Sequence, residues 1–434
     1  MTIRPKIRRW LGHELVRGSG LTLGIRLAGI ALSYAFSLAV TNWLGPEAFG
    51  DYTFFVLMIN VLAIFSALGF DGLVVRHIAA CAARNELAGI AVFHRSAIRA
   101  QVMTATGLAI LLLLLHQTGW FSSWTNGVWV FGVTLAILPQ TLLKYFSQAF
   151  KALRKIRWYA LFNYVATPLF ALIILLGIQA GGNPKAPVWA QTAALWIALI
   201  AAVYVWYRTF HGAASKEETA PERPISMTGF VRQSWPFLLT TSVMFFNHWA
   251  DQIVLKTLRG SYDLGIYAAG NRIVNLVTIP LMAVNSIAAP KLARAWAQAD
   301  HNELRKSAQQ ATRLIFWTSA PVLLCVVVLA GPLLRLFGPQ FSEGVLAMQI
   351  LALGQCCNVM VGPTGAVLNM TRYDRLMNKL ALASLSVNIV VSLLFTPTWG
   401  AAGAAMGSAA GLAVLNGSAW FFIRQKLGFS TIRI

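Results

Sequence analysis

Few residues in this chain are equipped for chemistry, and most of those lie inside long apolar runs. Arg26, His248, Asp251 and Arg272 are charged or titratable groups within such runs, and Asn247, Asn271 and Asn275 add amides to the last two of them. A charge at the centre of a membrane helix costs roughly 2.5–3.5 kcal/mol on insertion scales, so it normally faces protein or water. Guanidinium groups at that depth suit an anion, since their planar fork matches phosphate oxygens. His248, three residues before Asp251 on one helix face, suits a proton relay or a cation. The three amides could donate to sugar hydroxyls or bond helix to helix. Asp251 and Arg272, matched in depth on antiparallel runs, could form an ion pair that either locks two helices or serves a substrate. Arg26 has no acid at a matching depth, which favours a watery, anion-attracting cavity over a structural lock, with snorkelling to the near headgroups as the competing reading. Two Arg against one Asp leave the intramembrane balance positive.

Catalytic signatures are missing from the sequence. It contains no GxxxxGK[ST] phosphate loop, no HExxH, no CxxC, no GxSxG and no D-x-D pair for a metal-bound sugar nucleotide. Cys81, Cys325, Cys356 and Cys357 fall in apolar runs or on the basic side of them, so no disulfide framework is expected. The reading is a non-enzyme with no cofactor and no metal centre; a membrane glycosyltransferase or polymer ligase would need an outer-loop Arg or His cluster that the sequence lacks.

The elements that must position these residues follow from composition. Hydrophobic residues make up 57% of the 434 and charged residues 11%, with a mean hydropathy of +0.63. A soluble domain carries roughly 25% charged residues. Too few charges remain to coat a soluble surface, and the expected fold class is an all-α polytopic membrane protein. Twelve segments of about 20 residues could cross a core roughly 30 Å thick. They lie near 20–42, 52–75, 97–116, 127–148, 159–179, 188–208, 233–255, 264–289, 312–334, 344–370, 377–396 and 400–423.

Sorting the Lys and Arg residues onto alternate sides of these spans places 29 of the 35 on one face and 4 on the other, with Arg26 and Arg272 inside spans. Basic residues near span ends are retained in the cytoplasm. Both termini are therefore expected to be cytoplasmic, and topology accounts for nearly all of the formal charge of +21. A nucleic-acid partner is unnecessary, while attraction to anionic membrane lipids follows as a side effect. Trp43, Trp120, Trp124, Trp189 and Trp399 at expected outer ends, with Trp158 and Trp235 at inner ends, match an interfacial aromatic belt.

The chain divides near its midpoint. A first six-helix lobe is expected over 1–210, a cytoplasmic linker over 211–229 and a second lobe over 230–434. Gly50-Asp51-Tyr52 recurs as Gly265-Ile266-Tyr267 at an offset of 215, and at the same offset Arg76 lands on Lys291. An even number of spans per copy makes these parallel repeats. Prolines 139, 168, 280, 321 and 363 soften helices, and the Gly-Ala pattern of 400–411 reads as close helix packing.

Leu44-Gly45-Pro46-Glu47-Ala48-Phe49-Gly50-Asp51-Tyr52, then Gly69-Phe70-Asp71-Gly72 and Arg76, resemble the N-terminal signature of the polysaccharide-biosynthesis membrane proteins. Asp251, Leu264-Gly265-Ile266-Tyr267-Ala268-Ala269, Arg272, Pro280 and Pro290-Lys291-Leu292 are similar to that family's second half. One departure is Asn42-Trp43 before Leu44, where the family often has a basic residue. The resemblance implies the multidrug/oligosaccharidyl-lipid/polysaccharide exporter superfamily, with two pseudo-symmetric lobes around a central cavity. It also implies flipping of polyprenyl-pyrophosphate-linked oligosaccharide units across a bacterial inner membrane, for O-antigen, capsule or exopolysaccharide. On that footing Arg26, Arg272, Asn247, Asn271 and Asn275 are the expected substrate contacts, and Asp251 and His248 the expected ion-coupling pair. The expected partners are the lipid-linked glycan, a coupling proton or sodium ion, and a polysaccharide polymerase with its assembly proteins. An ion-coupled multidrug exporter on the same fold is the alternative, but it would favour an acidic cavity.

Overall fold

A computed structural model describes residues 5–84, 86–119, 127–178, 182–210 and 227–432. The expected linker up to residue 226, with Trp120 and Trp124, lies outside these. No strand occurs among the described residues. The helices are α1 (Pro5–Ser66), α2 (Phe70–Ala83), α3 (Leu87–Gln117), α4 (Gly127–Ala152), α5 (Ile156–Ala160), α6 (Ala166–Gly177), α7 (Ala186–Phe210), α8 (Met227–Arg259) and α9 (Ser261–Asn275). They continue as α10 (Thr278–Ala297), α11 (His301–Val328), α12 (Ala330–Arg335), α13 (Val345–Val361), α14 (Thr364–Met370), α15 (Asp374–Trp399) and α16 (Ala401–Leu427).

Among the described residues nine helices are long and apolar enough to cross a membrane, or ten when the bent pair α9–α10 counts as one span. The twelve expected segments nonetheless all fall on helix. Leu21–Ser66 is 46 residues long. At about 1.5 Å per residue that is roughly 70 Å, more than twice a hydrocarbon core. The helix breaks at Gly45 (φ 79°, ψ −174°), so it supplies two segments. Helix α8 supplies another, its apolar character diluted by His248, Asp251, Gln252 and Lys256.

Three of the expected proline breaks have visible causes. Pro168 has no N–H for the carbonyl of Tyr164, and the chain accommodates this with a π turn at Leu161–Val165 between α5 and α6. The 43° bend between α9 and α10 falls just before Pro280, which sits in the first turn of α10. Gly362 (φ 73°) and Pro363 separate α13 from α14.

The chain forms two compact units, one of residues 1–39 with 55–242, the other of 40–54 with 243–434. The segment 40–54 thus belongs with the second unit, whereas the sequence placed it in the first lobe. Within the first unit, α3, α4 and α7 close around an aromatic core. His94 stacks on Trp206 with ring centroids 4.6 Å apart, and its Nδ1 lies 2.9 Å from the Tyr145 hydroxyl. Small residues let α6 and α7 approach: Ala171, Ala190, Ala194, Ala198 and Ala202 are fully buried.

Within the second unit α15 and α16 pack along a stripe of glycines at four-residue spacing. A Cβ on Gly407 would stand 2.7 Å from the Asn388 carbonyl oxygen, and one on Gly411 3.2 Å from that of Ser384. The Gly-rich span therefore serves close packing, as its pattern implied.

The repeat seen in the sequence is also a repeat of backbone shape. Gly260 (φ 89°, ψ −167°) adopts nearly the conformation of Gly45, its counterpart at an offset of 215. This region of φ/ψ is essentially restricted to glycine. Five residues on, the paired glycines meet. A Cβ on Gly50 would collide with the Ser261 carbonyl and stand 2.9 Å from the Gly265 nitrogen; one on Gly265 would collide with the Pro46 carbonyl and stand 3.1 Å from the Gly50 nitrogen. Pro46 and Ser261 are themselves 215 apart, so the two helix starts cross in a locally symmetric contact with backbone against backbone.

Candidate functional site

In the first unit, Arg26 on α1 is half-buried, its guanidinium 5.1 Å from the centroid of the Tyr164 ring. The π turn carries Tyr164, and Gly29, one turn beyond Arg26, allows α1 to approach: a Cβ there would lie 2.8 Å from the Tyr164 carbonyl carbon. The Tyr164 hydroxyl in turn lies 3.4 Å from that of Tyr159, whose ring also receives Lys151 Nζ at 5.4 Å. The expected cationic residue thus lies within an apolar helical run with its guanidinium over an aromatic face.

A further cation of the first unit is Lys144, which the sequence reading assigned to the cytoplasmic edge of its span. The residue lies within the helix Trp129–Ala152, half-buried, and donates to Asn60 Oδ1 at 2.9 Å. Gln140 Nε2 donates to the same oxygen at 3.0 Å, and Asn60 Nδ2 donates to the Val56 carbonyl at 2.7 Å. Two amides within apolar runs, Asn60 and Gln140, both half-buried, were the signal that a third polar group lay nearby.

In the second unit, Arg272 on α9 stands over the Phe49 ring at 5.1 Å and donates toward the Tyr52 hydroxyl. It does not pair with Asp251 as expected. Asp251 is 1% exposed and its Oδ2 accepts from the Tyr267 hydroxyl, with Ser408 beside it. Tyr52 and Tyr267 are counterparts in the repeat, and each takes one charge: Tyr52 the guanidinium, Tyr267 the carboxylate. The tyrosines accordingly do what direct Asp–Arg contact was expected to do. Asp251 Oδ1 and the neighbouring Gln252 Oε1 are buried with no hydrogen-bond partner among the described residues. An unsatisfied buried acceptor costs about 1–3 kcal/mol and calls for an explanation.

The structure separates the other expected residues by role. His248 keeps exposed side-chain surface with its ring beside Trp249, while Asp251 three residues away is buried. Asn247 is engaged at both ends of its amide, donating to the Ala381 carbonyl at 2.7 Å and accepting from Ser384 Oγ at 3.2 Å, so it ties α8 to α15. That serves the helix-to-helix alternative. Asn275 Nδ2 donates to Asn271 Oδ1 at 3.3 Å along one face of α9, and both residues stay half-buried.

Near the glycine contact lies an ionic cluster. Asp51 Oδ1 accepts from Lys256 Nζ at 2.8 Å and from Ser261 Oγ at 2.5 Å, while Lys256 also reaches Ser261 and lies 5.5 Å from the Phe54 ring. The Lys256 side chain is only 11% exposed. Removing Asp51 alone strands a largely buried ammonium. Asp51→Asn is therefore expected to lower the melting temperature of the purified protein by more than Lys256→Met, and the double variant to recover part of that loss.

A family profile described as polysaccharide biosynthesis protein matches residues 15–296, and a second, MatE, matches 236–394. The chain belongs to the polysaccharide biosynthesis protein family. The family match spans both halves of the repeat, from Arg26 through Arg272, and this member is a transporter-type, multi-pass membrane protein of the multidrug/oligosaccharidyl-lipid/polysaccharide exporter superfamily. Solved structures bear out the fold. An inward-facing multidrug resistance MATE family transporter of that superfamily is 14% identical, with a TM-score of 0.70 over 94% of this chain and 98% of that one. A Vibrio cholerae MATE transporter is 14% identical, with a TM-score of 0.61 over 97% and 98%. An uncharacterized membrane protein of Methanocaldococcus jannaschii is 20% identical over 405 residues, 91% of this chain and 94% of that protein.

Proposed function

We propose that this family member flips polyprenyl-pyrophosphate-linked oligosaccharide repeat units across the bacterial inner membrane, for O-antigen, capsule or exopolysaccharide synthesis. Both termini face the cytoplasm. The reading is supported above all by the guanidinium groups of Arg26 and Arg272, each lying over an aromatic ring within an apolar helical run. The planar fork of a guanidinium matches pyrophosphate oxygens in charge-assisted hydrogen bonds. Lys144 adds a third positive group, and Asn271 and Asn275 supply amides near Arg272. Alternating access around a cationic cavity then moves the polar head while the polyprenyl tail stays in lipid. No bond is made or broken.

Directionality comes from an ion gradient acting through Asp251, whose unsatisfied Oδ1 can take a proton or a sodium ion. His248, three residues before Asp251 on the same helix and with exposed surface, is its partner in this role. An ion-coupled multidrug exporter is the second reading, favoured by that same buried carboxylate and by the MatE match over 236–394.

Reconstitution decides between them. Liposomes containing the full chain and a labelled polyprenyl-pyrophosphate oligosaccharide should expose the label to an impermeant reagent on the opposite leaflet, and dissipating the imposed proton and sodium gradients should slow this. A label that stays on its leaflet while tetraphenylphosphonium is exported would establish the multidrug reading instead. Flipping at an unchanged rate without any gradient would remove the coupling role of Asp251.

A further inference from the structure

The second unit contains a cavity of about 520 Å³ close to the glycine contact, at the end of the helices where the chain carries few cations. That is within the range of roughly 300–1,000 Å³ typical of small-molecule sites. Asn42, Glu47, Tyr262 and Gln340 line it, together with the chain turns at Gly45 and Gly338. Its lining includes no Lys, Arg or His, and the carboxylate of Glu47 is its one charge. Such a lining repels phosphate and acidic sugars, and offers carboxylate and amide partners to neutral hydroxyl groups.

Two glycines shape the walls. Gly45 (φ 79°) and Gly338 (φ 130°) both occupy backbone conformations that a side chain would strain. A Cβ on Gly45 would point at Gln340 Oε1, 3.6 Å away across the gap. Tyr262 is 37% exposed, and its hydroxyl donates to Glu343 Oε1 at 3.2 Å, which fixes the ring at the rim. A held aromatic face beside amides and a carboxylate matches a pyranose ring, whose C–H face is apolar and whose edge is all hydroxyls. A quaternary ammonium ion is a poorer fit, because cages for such ions surround them with several aromatic faces. Here Phe341, the other aromatic of the lining, is 1% exposed and presents none.

We propose that this pocket is a saccharide subsite, taking a neutral or N-acetylated sugar of the glycan at the cation-poor face, apart from the intramembrane cations that serve the pyrophosphate. The inference rests on the lipid-linked glycan reading above for its natural ligand, but its test does not require transport.

Saturation-transfer NMR on the full chain in nanodiscs, with maltose and N,N′-diacetylchitobiose as probes, reads binding directly. Saturation should reach the sugar ring protons. Tyr262→Ala should weaken binding about tenfold, equivalent to roughly 1.4 kcal/mol, while Tyr262→Phe, which keeps the ring face but loses the bond to Glu343, should weaken it less. Glu47→Gln and Gln340→Ala, both at exposed positions, should weaken it without altering the melting temperature. No transfer to either sugar, transfer unchanged in Tyr262→Ala, or displacement of the sugar by tetraphenylphosphonium would each overturn the proposal. If Tyr262→Ala flips the lipid normally and wild type shows no sugar signal, the pocket fails and the flippase reading stands. If sugars bind as expected but the lipid is never flipped, the flippase reading fails and the subsite stands.

Discussion

Gly265→Val is expected to yield little folded protein, and whatever is recovered in detergent should melt far below wild type. The atoms that its side chain would strike are the carbonyl group of Pro46 and the nitrogen of Gly50, both backbone, and Gly265 itself is buried. A neighbouring side chain could swing away; two crossing helix starts cannot without separating. Overpacking of well-packed sites costs about 1–3 kcal/mol and occasionally more, and the absence of a relaxation route puts this site at the upper end. Gly50→Val should behave the same way, because a Cβ there meets Ser261 and Gly265 in the mirror arrangement. The control is Gly107→Ala on α3, where no atom lies within 4 Å of the added Cβ. That change should be neutral or stabilising by up to ~1 kcal/mol, the helix-propensity gain over glycine. Thermal melts followed by tryptophan fluorescence on the three variants check all of this. A Gly265→Val protein that melts with wild type would mean that the two helix starts do not cross at these glycines.

The sequence marked this contact without revealing it. Gly50-Asp51-Tyr52 and Gly265-Ile266-Tyr267 stood out as copies at an offset of 215, and a repeat says that two segments share a shape. It does not say that they touch. Touching depends on how far apart the chain carries the copies, and periodicity holds no such distance. Helix existence was legible throughout because apolar length at ~1.5 Å per residue is a local property. Which helices break was partly legible: Pro280 and Pro363 sit where the chain bends or changes helix, and Pro168 three residues past the end of the π turn at Val165.

Membership of residues in a unit was less legible. Residues 40–54 precede the second half by some 190 positions and still group with it. Partner choice was the least legible. Depth matching put Asp251 beside Arg272, but depth fixes only one of three coordinates. The rotation of each helix instead brings Tyr267 to the acid and Tyr52 to the base. What Lys144 bonds to was missed for a related reason. A basic residue eight positions from the end of a helix looks like an end signal, and only the spatial convergence of Asn60 and Gln140 shows its partners.

Charge reversal at Arg26 and Arg272 carries the largest expected functional effect. A hydrogen bond to a charged group contributes about 1.5–3 kcal/mol, so losing one guanidinium contact to pyrophosphate should slow flipping roughly tenfold to a hundredfold. A glutamate in its place adds repulsion and should take the rate to background. Folding must be separated from function, because both guanidinium groups also rest on aromatic rings, Arg26 on Tyr164 and Arg272 on Phe49, each at 5.1 Å. Such contacts contribute about 0.5–2 kcal/mol, so the reversed variants should melt somewhat lower yet remain inserted. Arg272→Lys supplies the discriminating arm. It keeps the charge and the ring contact but loses the planar fork, and should therefore fold like wild type while flipping at an intermediate rate. Arg26→Lys should do likewise in the first unit. If the inserted, folded double variant Arg26→Glu with Arg272→Glu still exports polymer at the wild-type rate, the head of the substrate crosses by a route that these cations do not line. The charges would then be structural, each serving only to fasten its helix to an aromatic neighbour.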